Sequence, residues 1–555
     1  MKKTGKSCLY VLLGFILFVV LGMVIMFVAK ICPPSGPWPM PPWCNVPGLS
    51  QNTETLPNAT SQNNGITLAL PVIATPNPYP VENTWGYVAP TPTVADGTAI
   101  NLRFMVALPD LSAEDEAMVN IGGNAYPLHS EDGIIFESDS LPAKAGESLD
   151  YYYSSAEGRT AEQSVTPQSD FTVMDGLNWT DQLKIDKPGF VKGYGMMDFG
   201  GFNIAELRGG RLPSTLDSLK MNGGEWYMYD YYWSYTDYTL PEIVDETQFP
   251  DTGNPNESDF KQMADEVHQS GLKFILLASL EWSAIPGNPC HQYHGDPDKL
   301  AECSNNYWLE GRQYEYDMLD RLQKNPNDPE ALAYRDKWFA QYRTFLEYVA
   351  KIAEENHIEM IIIGKNTAFA HSPIHEDQWR ELIQDIRTIY HGQIASIFEC
   401  YNDTCMQGQP WMDDLDAAVL FYWFSISDAD NPSNQELAAS IHRINQSVIT
   451  PFYQTYSKPV ILLTPFMSRD HPARAEWVEP ASSAPDVGID LAGQAELYQL
   501  LMEDSIDEEW FSGVVPYGYW FFDGFSKDFA FDRAYSVRNK PAGLLLRSWF
   551  DRIND

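Results

Sequence analysis

Eight short apolar segments, each followed by a stretch with helical periodicity, constrain the fold of this chain more than any other feature of its sequence. The stripes within Trp338–Ile352 and Trp379–Ile389 are examples of that periodicity. Short apolar runs rich in β-branched residues are typical of strands buried on both faces of a parallel sheet. Eight alternating units predict an α/β fold, a (β/α)8 TIM barrel over residues 185–555. The predicted strands are Val191–Asp198, Glu225–Trp233, Lys273–Glu281, Glu359–Gly364, Ile394–Tyr401, Ala417–Trp423, Pro459–Thr464 and Val514–Phe522.

A small all-β unit is predicted before the barrel, over residues 66–175. Short strands there are separated by Gly, Pro, Asp and Asn, a spacing that suggests an immunoglobulin-like sandwich. The order of Phe104–Pro109, Gly133–Phe136 and Tyr151–Tyr153 resembles the starch-binding-type sandwich modules of many glycosidases. That resemblance implies carbohydrate binding through exposed aromatic rings. The alternative is a spacer whose tyrosines fill its own core.

The N-terminus carries an uncharged apolar stretch, Leu9–Ala29, preceded by three lysines. Its length suits a membrane-spanning helix, and the lysines predict that the short N-terminal end stays in the cytoplasm. We therefore expect residues 1–30 to be a cytoplasmic stub and a transmembrane signal anchor. A Pro/Ser/Asn-rich linker over residues 31–65 would follow, with the rest of the chain extracytoplasmic. A cleaved signal peptide is the alternative.

Charge and cysteine usage agree with an exported protein. Among 555 residues, 76 are acidic and 36 basic, and the net charge of −40 argues against a nucleic-acid partner. Six cysteines form close pairs and predict three disulfides. The absence of any CxxC pattern disfavours the alternative of a zinc site, so neither a metal nor another cofactor is expected. The pairs are Cys32 with Cys44, Cys290 with Cys303, and Cys400 with Cys405.

Functional residues of a TIM barrel lie at the carboxyl ends of its strands. Five acids occupy such positions and are candidates for the barrel mouth: Asp198, Asp230, Glu281, Glu399 and Asp523. Because acids at strand ends are common, each could instead be a solvated or arginine-paired loop residue.

The barrel half resembles the clan of retaining (β/α)8 glycosidases, nearest to the β-mannanase-like glycoside hydrolase family 113. The resemblance is carried by Ser270–Leu277, Ile362–Gly364, Trp411–Asp416 and Lys458–Thr464, among other landmarks in the same order. It implies two catalytic glutamates, at the ends of strands four and seven.

Both of these glutamates are replaced in this sequence. Asn366 stands where strand four of the family ends in glutamate, and Pro465 occupies the corresponding place after strand seven. Neither side chain can donate a proton at neutral pH or form a glycosyl ester. Glu281 and Glu399, on the strands that flank strand four, are the best replacement pair, and Asp198 is a further candidate.

Two functions follow from this resemblance. The chain is either a membrane-anchored glycoside hydrolase with relocated acids or a catalytically inactive homologue that binds carbohydrate or scaffolds a complex. Its partner would in either case be an oligo- or polysaccharide, whereas a purely structural ectodomain would have no open aromatic cleft. The resemblance places an aromatic residue in the cleft at Tyr422 and at Trp520. The full set of candidate binding residues is Tyr422, Trp520, Trp233, Tyr231, Asp230 and His371.

Overall fold

The computed structural model describes residues 94–196, 207–245, 254–281, 286–293, 297–400, 406, 409–475, 488–519 and 535–554. Its first part is an all-β unit whose strands form a nine-stranded sheet. The strands are β1 Ala99–Ala107, β2 Ala117–Ile121, β3 Asn124–His129, β4 Ile135–Ser138, β5 Leu141–Lys144, β6 Leu149–Ser155, β7 Gly158–Arg159, β8 Gln163–Val165 and β9 Phe171–Gly176.

This sheet curls and packs on itself. The order β1-β4-β3-β2-β6 separates β1 from β6 along the ladder. Even so, the ring of Phe104 on β1 lies 5.0 Å from that of Tyr151 and 6.4 Å from that of Tyr153, both on β6. Both tyrosines donate hydrogen bonds to the buried carboxylate of Asp175 on β9. Tyr151 and Tyr153 therefore fill the core of this unit, as the spacer interpretation expects.

Eight parallel strands then close into a barrel, so the predicted TIM barrel is confirmed. Their order is β11-β19-β18-β17-β16-β15-β14-β12, and β12 pairs with β11 to complete the ring. Short strands β10 (Ile185–Asp186), β13 (Glu242–Val244) and β20 (Ile553–Asn554) lie outside the ring. The barrel strands are β11 Val191–Met196, β12 Trp226–Asp237, β14 Lys273–Glu281, β15 Met360–Lys365, β16 Gln393–Glu399, β17 Ala417–Phe421, β18 Val460–Thr464 and β19 Phe511–Pro516.

Alternation along these strands creates two apolar layers. On β14, Ile275 and Leu277 belong to the core inside the barrel, whereas Phe274 and Leu276 belong to the core between strands and helices. The same alternation repeats on β16 and β17. This period of two decides which strand-end side chains face the barrel mouth.

Helices cover the outside of the barrel, as the helical periodicity predicts. Asn256 caps α2 and shares a capping box with Asp259, and Asp328 caps α4. Two long helices, α3 (Pro297–Lys324) and α4 (Pro329–Glu355), occupy a large insertion between β14 and β15. The helices of the described ranges are α1 Leu212–Met221, α2 Glu257–Gln269, α3 Pro297–Lys324, α4 Pro329–Glu355, α5 Glu376–Ile389, α6 Asn434–Ile444, α7 Thr450–Tyr456, α8 Leu491–Ser505 and α9 Pro541–Arg552.

The last helix, α9, packs directly against the all-β unit. A Cβ atom on Gly176 of β9 would lie 2.0 Å from the carbonyl oxygen of Leu544, so only glycine permits this approach. Beside it, Asn178 donates a hydrogen bond of 2.9 Å to the carbonyl oxygen of Ser548. Met105 and Ala107 of β1 belong to the same apolar cluster as the barrel helices. The two parts thus share a packed seam.

One of the three predicted disulfides is confirmed. Cys290 and Cys303 form it, with Cα atoms 5.5 Å apart. Cys400 is also disulfide-bonded, but Cys405, its predicted partner, is outside the described ranges. The third predicted pair is Cys32 and Cys44. Both of these cysteines lie outside the described residues, so the disulfide between Cys32 and Cys44 stays a prediction.

The predicted membrane anchor also lies outside the described residues. The structure gives no description of the segment Leu9–Ala29 or of the linker over residues 31–65. Among the residues that are described, no helix has the length and apolar character to cross a membrane. The transmembrane segment and the linker therefore stay predictions from the sequence.

Candidate functional site

Three side chains, from β14, from β15 and from the residue just after β19, converge on Asp230 at the carboxyl end of the barrel. Asp230 follows Met228 by two residues on β12 and therefore faces the interior, where it is 4% exposed. Its carboxylate accepts hydrogen bonds from Ser279 on β14, Lys365 on β15 and Tyr517 beside β19. Lys365 also donates to the Tyr517 hydroxyl at 3.0 Å. This network fixes the centre of the mouth.

A bulge on β15 brings Lys365 into this network. Ile362 pairs with Leu277, but the next pair joins Lys365 to Ser279, so β15 has one additional residue opposite β14. Gly364, within the bulge, has φ +89°. The additional residue reverses the alternation at the end of the strand and turns Lys365 inward. Such a bulge is a common device for aiming a side chain at a functional site.

Asn366 follows immediately and connects the two acids predicted to form a replacement pair. Its side-chain amide donates to Glu281 Oε1 at 2.6 Å, and its backbone N–H donates to Glu399 Oε2 at 2.8 Å. Glu281 lies at the end of β14 and Glu399 at the end of β16. Asn366 therefore bridges the two carboxyl groups through one hydrogen bond to each. Glycosidases act through two carboxyl groups, and these two are the pair that such a reaction would use here.

The two acids have different surroundings. Burial raises the pKa of Glu281 to about 7, against the opposing effect of the Lys365 ammonium. Glu399 lies 3.6 Å from the guanidinium of Arg312, a buried residue of α3. The geometry thus pairs an acid that retains its proton near neutral pH with a carboxylate held by cationic and N–H partners.

Lys365 and Tyr517, two further titratable groups of the mouth, are held in their protonated forms. Burial by itself would lower the pKa of Lys365, but the charges of Asp230 and Glu281 outweigh it and raise that pKa. Burial and the carboxylate of Asp230 raise the pKa of Tyr517 well above its usual value. A charged lysine and a neutral tyrosine therefore serve as hydrogen-bond donors here.

Helix α3 is attached to the segment after β15 by a second buried acid, Glu315. This fully buried carboxylate accepts a hydrogen bond of 2.6 Å from the Tyr235 hydroxyl and one of 2.8 Å from the backbone N–H of Ala368. Trp338 of α4 donates to the same Tyr235 hydroxyl at 2.7 Å. Since Arg312 lies on the same helix, Glu315 also fixes the position from which Arg312 reaches Glu399.

Pro465 follows β18 directly and is buried. Thr464, the last residue of that strand, exchanges hydrogen bonds with Tyr498 of α8 through its hydroxyl and its carbonyl oxygen. Proline has no N–H and no ionisable group. The place implied for the second glutamate therefore contributes neither a carboxylate nor a backbone donor to the mouth.

Three predicted binding residues face away from the mouth, and these predictions are corrected. Tyr422 is 1% exposed and donates to Asn445 in the helical layer. Tyr231 packs on Phe260 of α2, with ring centroids 4.9 Å apart, and Trp233 packs on Phe345 of α4 at 5.1 Å. The period of two turns all three toward the helices. The family resemblance placed Tyr422 in the cleft, but the next residue along the chain, Trp423, is the one on the inner face.

The aromatic pair that does face the interior is Phe421 and Trp423. Both pack against the apolar cluster inside the barrel, and their rings are stacked with centroids 5.7 Å apart. Trp423 is half-buried, so one part of its indole remains accessible. A rigid, partly exposed ring at the edge of a polar cluster is the kind of surface on which a sugar ring stacks.

Several candidates fall outside what the structure describes. Asp198, Asp523 and Trp520 lie there, and of His371 only the backbone is described, in a short 3-10 turn. Sequence reasoning missed Lys365, Arg312 and Tyr517. Lys365 is adjacent to Asn366, and a glycine before a polar strand end was a signal for the bulge. Arg312 had no local signal, because it comes from an insertion helix. Across the described ranges, no group of three metal-ligating side chains is close enough to hold an ion.

Comparison with known proteins agrees with the expected resemblance. Residues 321–540 match the family model described as Glycoside Hydrolase Family 113. Similar solved structures include a GH113 β-1,4-mannanase, with 19% identity, 65% of this chain and 99% of that chain covered, and a TM-score of 0.45. The GH113 β-mannanase of Alicyclobacillus acidocaldarius is 18% identical over 65% of this chain and 97% of that chain, at TM-score 0.46. A family 5 mannosidase from Rhizomucor miehei has 11% identity, coverages of 66% and 93%, and a TM-score of 0.42. No match is found among curated protein sequences.

Proposed function

We propose that this chain, residues 321–540 of which match glycoside hydrolase family 113, binds a β-linked polysaccharide of the mannan type in its barrel mouth. It does so without the double displacement of retaining glycosidases. The observation that carries this proposal is the use of Asn366. At the place implied for a glutamate, its side-chain amide donates to Glu281 and its backbone N–H donates to Glu399. With Pro465 at the second position, the implied pair of carboxyl groups is missing.

The mouth retains what sugar recognition needs. Sugar sites combine an aromatic face with a few fixed polar groups. Here the half-buried Trp423 stacks on Phe421, whose ring centroid lies 5.6 Å from that of Tyr517. Lys365 and Tyr517 are donors, and Asp230 and Glu399 are acceptors. Hydrogen bonds among Asp230, Lys365 and Tyr517, and from Asn366 to Glu399, hold these groups in position before a ligand arrives, which lowers the entropy lost on binding.

Calorimetric titration of the full-length protein with β-1,4-mannooligosaccharides tests the proposal. We expect measurable binding, and about a tenfold loss of affinity for Trp423→Ala, from the lost stacking surface. The matched control is Tyr422→Phe, the neighbouring residue that faces the helices, which should leave the affinity unchanged. No binding by the wild-type protein, or an equal loss for both variants, would contradict the proposal.

Hydrolysis by relocated acids is the second candidate function, favoured by the raised pKa of Glu281. A carboxylic acid that keeps its proton near pH 7 can act as a general acid, and a second carboxyl group nearby can act as its partner. In this case Glu281 would protonate the departing glycosidic oxygen. Glu399 would remove a proton from the water that attacks the anomeric carbon, yielding a free sugar hemiacetal and an alcohol.

Release of reducing ends from mannan and glucan oligosaccharides separates the two functions. Pure binding predicts no turnover above background for either wild type or Glu281→Gln. Turnover that disappears in Glu281→Gln but persists in Asp317→Asn, an exposed acid of α3, would establish the relocated pair instead.

We also propose that the barrel lies outside the cytoplasm, held at the membrane by Leu9–Ala29. The lysines before this segment and the Cys290–Cys303 disulfide support that location. Protease added to intact cells should then digest the barrel, whereas a cytosolic marker survives. Protection of the barrel equal to that of the marker would refute the proposal.

A further inference from the structure

One row of side chains along the insertion helix α3 combines two partly accessible aromatic rings with a buried arginine. Another side of the helix packs inward through Tyr307, which donates to the carbonyl oxygen of Thr236 at 3.0 Å. Tyr314 contacts the ring of Tyr334 on α4, with centroids 5.3 Å apart, and Glu315 is fully buried. The row between these contacts and solvent, which we call the α3 aromatic face, consists of Trp308, Arg312 and Tyr316; Trp308 packs against the core with part of its ring.

These three residues follow one another at intervals of four and form a single row along the helix. The guanidinium carbon of Arg312 lies 5.7 Å from the ring centroid of Trp308 and 5.9 Å from that of Tyr316. Trp308 is half-buried, and Tyr316 is 44% exposed. Eight residues of helix span about 12 Å, so the two rings present a rigid surface longer than one sugar ring.

The α3 aromatic face is continuous with the barrel mouth. Arg312 itself is buried and lies 3.6 Å from Glu399, so both rings flank a group that contacts a mouth carboxylate. A ligand that leaves the mouth on the side of β15 and β16 would meet this row next. Single exposed aromatic side chains need no explanation. By contrast, two aromatic rings held on either side of a buried arginine at the edge of a site indicate a binding surface.

We propose that the α3 aromatic face binds the part of a polysaccharide chain that extends beyond the barrel mouth, by stacking sugar rings on Trp308 and Tyr316. This inference rests on the proposed carbohydrate-binding function. The occupant is an uncharged β-linked chain, because a protein of net charge −40 repels polyanionic glycans. Stacked rings read the apolar C–H faces of sugars, whereas the polar groups of the mouth orient the sugar bound there.

Titration of the full-length protein with β-1,4-mannooligosaccharides of increasing length tests this inference. Wild-type affinity should rise from the disaccharide to the hexasaccharide. Tyr316→Ala and Trp308→Ala should each lower the hexasaccharide affinity about 5- to 10-fold and leave the disaccharide affinity unchanged. Tyr316→Phe keeps the ring and should bind like the wild type.

Leu309→Ala is the matched control, because Leu309 is 57% exposed on the same helix but lies outside the row. It should change neither affinity. If Tyr316→Ala and Trp308→Ala bind the hexasaccharide like the wild type, the inference is wrong while the proposed function stands. An equal loss for both sugars would also overturn it, because the substitutions would then act on the mouth. If the wild-type protein binds neither sugar, the proposed function fails, and this inference fails with it.

Discussion

Among single residues, Glu281 links the chemistry of the mouth to the stability of the protein. Its pKa is about 7 in the folded chain, against 4.5 for the ordinary side chain. Between these values the folded protein retains a proton that the unfolded chain has released. Folding stability contributed by this group is therefore present at low pH and is lost as the pH rises from about 4.5 to 7.

Glu281→Gln should remove this pH-dependent loss of stability, because glutamine has no proton to release in this range. We expect the melting temperature of the wild type to fall relative to that of Glu281→Gln as the pH rises through this window. At pH 7.5 the two proteins should differ in free energy of unfolding by at most about 3 kcal/mol, and by less where neighbouring charges adjust. Glu114→Gln, an exposed acid of the all-β unit, should follow the wild-type curve. A constant difference between wild type and Glu281→Gln from pH 4.5 to 7.5 would contradict the assignment.

Gly364 is the second residue on which the site depends. It combines φ +89° with crowding, since a Cβ would lie 3.1 Å from Ser396 Oγ and 3.2 Å from Ala370 Cβ. Gly364→Ala should lower the free energy of unfolding by about 2–3 kcal/mol. Gly271→Ala, at φ +77° in open space, should cost only about 1 kcal/mol. Denaturant titration of both variants measures the difference, and equal losses would show that crowding at the bulge is unimportant.

At the scale of elements, α3 supports the mouth from outside the barrel. Glu315→Ala would leave the Tyr235 hydroxyl and the Ala368 N–H without their buried acceptor. An orphaned buried donor costs about 1–3 kcal/mol, so we expect a loss of about 3 kcal/mol in unfolding free energy. Glu315→Gln keeps one carbonyl acceptor and should lose less.

Asp317 provides the comparison for Glu315 on the same helix. Its carboxylate is exposed and accepts only from Gln313 in the contacts described, so Asp317→Ala should change stability by less than about 0.5 kcal/mol. Chemical denaturation measures both variants. If Glu315→Ala is as stable as Asp317→Ala, α3 is not attached to the barrel through this carboxylate.

At the scale of the whole molecule, the all-β unit and the barrel should unfold together. Their seam joins Gly176 to the backbone of α9, and apolar residues of β1 belong to the barrel's own cluster. Calorimetry should show one transition for both parts. Gly176→Ala should lower its midpoint by several degrees, because the added methyl group cannot fit against the Leu544 carbonyl oxygen.

Gly122→Ala is the control in the same unit, since a Cβ there meets nothing within 4 Å. Its positive φ of 55° limits the expected cost to about 1 kcal/mol. Two separate transitions in the wild-type protein, or a Gly176→Ala midpoint equal to that of Gly122→Ala, would mean that the seam does not couple the two parts.

The sequence by itself determined the barrel, the order of its strands and the disulfide Cys290–Cys303. Apolar runs and helical stripes are local patterns, and strand closure follows from their number. It also led to the expectation that Glu281 and Glu399 flank the end of β15, because neighbouring parallel strands end at the same edge. These features depend on hydrophobic periodicity and on the order of segments along the chain, both of which are present in the sequence itself.

Only the tertiary structure decided which side chains face the mouth. The alternation along β17 points Trp423 into the barrel and Tyr422 toward the helices. A shift of one residue in that alternation would exchange the two side chains. The bulge at Gly364 exists because β15 pairs with β14, and it turns Lys365 inward. Arg312 reaches Glu399 from a helix far away in the chain. Each of these depends on contacts between distant segments, whose geometry has no local signature in the sequence.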